Sequence, residues 1–279
     1  MNYVYIFILF LSTNLLYAGD INSPTGAKSA ALGTAGVTAI DIGSVQQNTA
    51  GFAEIKNVSG SLYYENKFMV PELRLSSFTF AFPSKKLGIF GLCINYFGFA
   101  LFNQKKIGLA YARHFGEKFS AGVQINYLST YIADNYGTRN AFTIEVGIQV
   151  RLSQHLRMGV HLYNPTRTKL AEYNDERIPT IMKLGFAYSF SDKVTCLVES
   201  EKDLSYRALF KFGIEYRIIK ELYLRTGILH LPSINVMTNY SILSFGFGLN
   251  IKKLTLDFAS TLHPALGFTP HISLLYDFK

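Results

Sequence analysis

Residues able to do chemistry are few in this chain, and their spacing does not build a catalytic centre. The six histidines are His114, His155, His161, His230, His263 and His271. None pair as H-x-x-x-H, the spacing that brings two imidazoles onto one metal ion. His155 falls in a turn, and His263 and His271 lie near a longer loop, so the histidines are expected to be solvated or interfacial. Cys93 and Cys196 are the only thiols, too few for a disulfide framework. There is no G-x-S-x-G elbow, no Walker loop and no G-x-G-x-x-G opening a helix. Phe245-Gly-Phe-Gly248 reads as strand glycine rather than a phosphate cradle. A Ser/His/Asn hydrolase on a barrel, a third class of function, has no local motif here. No catalysis, cofactor or metal is expected.

One set of charges does follow a pattern. Glu145, Arg151, Arg157, Lys183, Glu199, Lys211, Glu215, Arg217, Arg225 and Asp257 fall at alternate positions of strand-like segments. In the segment from Phe142 to Arg151, Phe142, Ile144, Val146, Ile148 and Val150 point one way, and Thr143, Glu145, Gly147, Gln149 and Arg151 the other. Charges of both signs on the inner side of a barrel read as a salt-bridge network. A polar conduit is the functional alternative.

The elements that must position these charges are strands. The chain has 279 residues, with 23 Phe, 18 Tyr, 22 Gly and no Trp. Charged residues make up 16%, against about 25% in soluble domains. Hydrophobic content is 49%, with a mean hydropathy of +0.16. A polytopic helical membrane protein needs several apolar runs of about 20 residues, which this chain lacks. Low charge with many aromatics also excludes disorder. The mixture suits a β-protein whose outer face does not meet water. From 58 to 279 there are fourteen alternating segments, among them 105–115, 140–152, 156–165 and 270–279, joined by alternately short and long connections. This predicts an all-β fold, a transmembrane antiparallel up-and-down barrel of about 14 strands, with twelve as the competing count. A spanning helix over 87–104 and a soluble β-sandwich are the weaker alternatives. The formal net charge of +8 is dispersed through short turns and gives no nucleic-acid footprint.

Residues 1–18 are apolar and uncharged, and Ala18 suits a cleavage position, so a secretory signal peptide is expected there. Residues 19–57 are rich in Ala, Gly, Ser and Thr and lack alternation. They read as a separate segment ahead of the 58–279 barrel.

That segment carries Gly26-Ala-Lys-Ser-Ala-Ala-Leu-Gly33-Thr-Ala-Gly36, then Asp41, then Asn48-Thr-Ala-Gly-Phe52. It resembles the start of the PorV/PorQ family, itself similar to the FadL family of fourteen-stranded barrels. In those proteins an "AxSxALGGA…D…NPAGL" stretch precedes the first strand and folds into the lumen as a hatch. Ala27, Ser29, Ala31, Leu32, Gly33, Ala35, Gly36, Asp41, Asn48, Ala50 and Gly51 match, while Thr49 replaces the usual Pro and Phe52 the usual Leu. The resemblance implies a non-enzymatic barrel in the outer membrane of a Gram-negative bacterium, in contact with outer-membrane lipid, both termini periplasmic. A PorV/PorQ-like member would be a partner or shuttle in type IX protein secretion or cell-surface assembly, with protein partners of such a complex. A FadL-like member would instead transport a hydrophobic small-molecule ligand. Inward Phe or Leu near the hatch would favour transport. The inward positions read here are mainly Gly and charge, which favours the secretion partner.

Overall fold

The computed structural model describes residues 26–84, 86–133, 137–169, 177–232 and 240–278, so the expected signal peptide lies outside the described residues. The strands are β1 (Ser59–Asn66), β2 (Arg74–Ser84), β3 (Gly88–Gly98), β4 (Phe102–Phe115), β5 (Phe119–Ile132), β6 (Gly137–Arg151), β7 (Leu156–Tyr163), β8 (Ile181–Ser189), β9 (Val194–Asp203), β10 (Leu209–Arg217), β11 (Leu222–Leu231), β12 (Tyr240–Ile251), β13 (Leu254–His263) and β14 (Gly267–Asp277). Each pairs antiparallel with its sequence neighbours, and β1 pairs with β14, so one sheet closes on itself as a fourteen-stranded barrel. Closure leaves no strand edge, which the two-sheet alternative would have to protect. The helix weighed over 87–104 is instead β3 and the start of β4. Among the described residues no helix is long and apolar enough to cross a membrane.

Strand ends depart from expectation mostly where longer loops were expected. β6 and β14 begin at Gly137 and Gly267, whose φ values of 72° and 84° let the chain turn sharply into the strand. These strands therefore start earlier than 140 and 270, and their loops shrink. β7 stops early, at Tyr163. Beyond it the outer part of β6 faces irregular chain: Asn164 N–H donates to the Ile144 carbonyl at 2.9 Å, and Thr168 Oγ1 to the Phe142 carbonyl at 2.9 Å.

The two faces of the sheet differ as alternation requires. On β6, Phe142, Ile144, Val146 and Ile148 are exposed on the outside, while Thr143, Glu145, Gly147 and Gln149 are buried inside.

What buries the inner face is the chain ahead of β1. It forms a short helix, α1 (Ala27–Ala31), and two 3₁₀ turns, Ile42–Gln46 and Thr49–Glu54. Asp41 and Asn48 cap the two 3₁₀ turns, accepting from Gly43 N–H at 3.0 Å and Ala50 N–H at 3.1 Å. Ala27 N–H donates to Ser273 Oγ on β14, and Gly33 N–H to Ser244 Oγ on β12. Gln149 Nε2 on β6 donates to the Val37 and Ala39 carbonyls. These ties reach widely separated strands of the barrel wall.

Paired inward glycines make room for this segment. Gly122 stands opposite Gly147, Gly159 opposite Gly185, and Gly213 opposite Gly227. A Cβ on Gly122 would meet the Thr49 carbonyl carbon at 2.6 Å, and one on Gly213 the Leu32 carbonyl oxygen at 2.7 Å. One on Gly147 would run into Asn48, and one on Gly227 into Gly33. The inward glycines are thus a groove in which backbone lies against backbone.

Candidate functional site in the lumen

The inward side chains gather into separate apolar and polar groups. Nearest the longer loops, Leu128, Ala141, Tyr163 and Ile178 form a buried apolar cluster with Ile181 packed against it. Ile178 comes from the β7–β8 connection. Asn164 Nδ2 holds that connection by donating to the Ile178 carbonyl at 2.8 Å.

Beneath lies a belt of charge. Lys106 Nζ sits 2.7 Å from Glu145 Oε1, which also accepts from Asn126 Nδ2 at 2.8 Å. Glu145 Oε2 bonds His161 Nε2 at 3.1 Å. His161 faces Lys183 across the β7–β8 ladder, and Lys183 lies 3.7 Å from Glu201. Lys211 bridges Glu201 at 2.6 Å and Glu199 at 2.8 Å. Glu199 Oε2 then accepts the N–H groups of both Gly36 and Val37 at 2.8 Å. A buried carboxylate with two backbone donors and an ammonium is fully satisfied, and it ties the N-terminal segment to β9. Removing one member would leave its partner charged and uncompensated.

Three apolar clusters surround the N-terminal segment, the smallest made of Leu32, Ala35, Ala187 and Leu197. Ala27, Ala30 and Ala31 pack with Tyr63, Leu75 and Phe97, with Phe102 against them. Ile42, Val45 and Phe52 pack with Ile89, Cys93 and Ala110. Inward Tyr63, Leu75, Ile89 and Phe97 correct the expectation of an inner face made mainly of Gly and charge. They pack against the small residues of the N-terminal segment, among them Ala27, Ala30 and Ala53.

At the short-turn end is a cavity of about 550 Å³. Lys28 stands on its wall 3.1 Å from Asp41 and 3.8 Å from Glu215. Desolvation pushes the Asp41 carboxyl up, but the Lys28 ammonium and its hydrogen bond, Arg225 and the Gly43 N–H together hold it below its usual range. Arg225 pairs with Glu215 at 2.7 Å and Asp257 at 2.5 Å. Arg151 reaches back to Glu54 at 2.9 Å, and Arg157 to the Thr38 carbonyl at 3.4 Å.

Nine of the ten charges singled out from sequence contact another charge or the N-terminal segment, in three groups rather than one network. Arg217 joins none, because it stands at the end of β10 beside the turn. Sequence reading missed Lys28, Glu54, Lys106, His161 and Glu201. His161 and His271 are buried, not solvated: His161 bonds Glu145, and His271 Nδ1 lies 2.8 Å from Tyr63 Oη. Both share inward parity with neighbouring small residues, Gly159 and Ser273, which was the available signal. Cys93 and Cys196 are free, on β3 and β9. Of the residues matched from the N-terminal resemblance, Ser29, Leu32, Ala50 and Asn48 are buried. Gly33 and Gly36 donate to the wall, Gly51 packs under the Ala39 carbonyl, and Asp41 caps a turn.

No protein-family model matches the chain, and no curated protein does. Solved structures do share its fold. The CymD monoaromatic hydrocarbon channel is 14% identical with a TM-score of 0.68, over 91% of this chain and 97% of that one. A Pseudomonas aeruginosa FadL homologue is 12% identical with a TM-score of 0.67, over 91% and 98%. The Ralstonia pickettii toluene transporter TbuX is 12% identical with a TM-score of 0.69, over 95% and 100%. The chain therefore shares the fourteen-stranded barrel fold of these FadL-like proteins.

Proposed function

We propose that this chain is an outer-membrane barrel that carries small hydrophobic molecules inward, and that residues 19–57 act as its hatch. In this reading residues 1–18 are a cleaved secretory signal, 58–279 form the barrel, the outer face lies in lipid and both termini face the periplasm. The observation that carries the reading is a lumen filled by its own N-terminal segment, in a fourteen-stranded barrel of the same fold as a monoaromatic hydrocarbon channel and a toluene transporter. The apolar cluster under the β7–β8 connection supplies an entry surface, and the cluster around α1, with Leu75 and Phe97 at the same end of the barrel, adds to it. A role with secretion or surface-assembly partners rests on the N-terminal resemblance alone.

The test is uptake of radiolabelled toluene by cells whose lipopolysaccharide layer is intact. Cells making the chain should take up toluene several-fold faster than cells without it. Equal rates, with the folded barrel present in the outer membrane, would remove the transport reading.

A further inference from the structure

Most inward cations of this lumen form an ion pair with a carboxylate, and among the described residues Arg157 forms none. It stands directly opposite Arg151 in the β6–β7 ladder, so two guanidinium groups are cross-strand neighbours. Like charges in that position repel. Glu54 pairs with Arg151 at 2.9 Å and also faces His114 at 3.8 Å. Among the described residues the Arg157 guanidinium hydrogen-bonds the Thr38 carbonyl alone, at 3.4 Å, and Glu54 attracts it without forming an ion pair. The other charges beside the pair are Lys118 and Glu117, both in the exposed β4–β5 turn, and among the described residues Glu117 pairs with neither arginine.

Both arginines line the cavity of about 550 Å³ and also a second notch of about 10 Å³ beside it. The larger cavity adds polar groups from Ser153 and Ser189, apolar wall from Leu156, Ala187 and Leu197, and the ion-paired carboxylates of Asp41, Glu215 and Asp257, which Lys28 and Arg225 neutralise. A guanidinium fork matches a carboxylate in two parallel hydrogen bonds, and an unpaired fork on a polar cavity wall is where such a group gains most.

We propose that Arg157, with Arg151 across the ladder, forms an oxyanion site that takes the carboxylate of a small, partly apolar acid at the short-turn mouth of the barrel. The body of the acid rests on Leu156, Ala187 and Leu197. The anion competes with Glu54 and the Thr38 carbonyl, both in the N-terminal segment, so binding there is coupled to how firmly that segment is held. The site stands apart from hydrocarbon uptake: it is read by binding to the purified chain, whereas transport is read in cells.

Calorimetric titration of the full chain in detergent tests this, with benzoate, the neutral benzyl alcohol and inorganic phosphate as separate probes. Benzoate should bind saturably, and both other probes about tenfold more weakly or worse. Arg157→Gln should weaken benzoate about tenfold, while Arg217→Gln, at the same end but off the cavity, should leave it unchanged. If Arg157→Gln does not fold, Arg157→Lys keeps the charge without the fork and should still lose several-fold. Benzyl alcohol binding as well as benzoate, phosphate binding more tightly than benzoate, or an Arg157 variant with unchanged affinity would each overturn the site.

Discussion

The outer and inner faces of this barrel are made from the same strands and obey different rules. Outside, Phe142, Val198, Phe212 and Ile228 face away from the protein and need only be apolar. Inside, each residue answers to a particular partner: Gly227 to Gly33, Glu199 to two backbone N–H groups, Lys106 to Glu145. The outer face is therefore a composition, and the inner face is a set of individual fits. Substitutions should be felt very differently on the two.

The largest effect is expected where an inner charge loses its partner. Glu145→Ala would strand a buried Lys106 and His161, and should cost about 3–5 kcal/mol. Urea unfolding in detergent, followed by heat-modifiable gel mobility, reads this. A loss below about 1 kcal/mol would mean the belt is far more hydrated than its geometry implies. Next comes a charge placed on the outer face: Val198→Arg, mid-strand and exposed, should cost about 2–4 kcal/mol in bilayers if that face lies in lipid as proposed. The same substitution should cost little in a test where that face meets water, which checks that the face is lipidic. Third is Gly227→Leu, which would drive a side chain into Leu32 and Gly33, with a cost of about 1–3 kcal/mol. Protease cleavage within residues 26–57 should rise with it; unchanged protection would break the groove argument. The smallest effect belongs to its neighbour on the other face, Ile228→Leu, which should stay within about 0.5 kcal/mol. Adjacent residues giving equal losses would erase the contrast.

Much of the barrel is readable in sequence because period-2 alternation is a direct consequence of strand geometry. It marks β6, β10 and β12 without ambiguity, and it separates Phe210, Phe212 and Ile214 from Lys211, Gly213 and Glu215. Alternation reports which face a residue is on, not what it meets there. Gly213 and Gly227 can be assigned to the inside, yet their purpose appears only when Leu32 and Gly33 lie against them. Glu54 and Arg151 are 97 positions apart, one in a 3₁₀ turn and one at a strand end, so no local pattern joins them. Lys106 and His161 were legible by parity alone, beside Gly108 and Gly159, and their burial follows from the belt they complete. Arg217 shows the converse: parity places it inward, but it stands at the end of β10 beside the turn, where it is half-buried and joins none of the three groups.

The central claim is that the inner face is shaped to be filled by the N-terminal segment, and that this segment closes the lumen. Ion conductance across a planar bilayer tests it most directly, comparing the full chain with one lacking residues 26–57. The full chain should be nearly silent, and the deletion should open steady, large conductance while keeping its heat-modifiable barrel. A full chain that conducts as well as the deletion would contradict the claim.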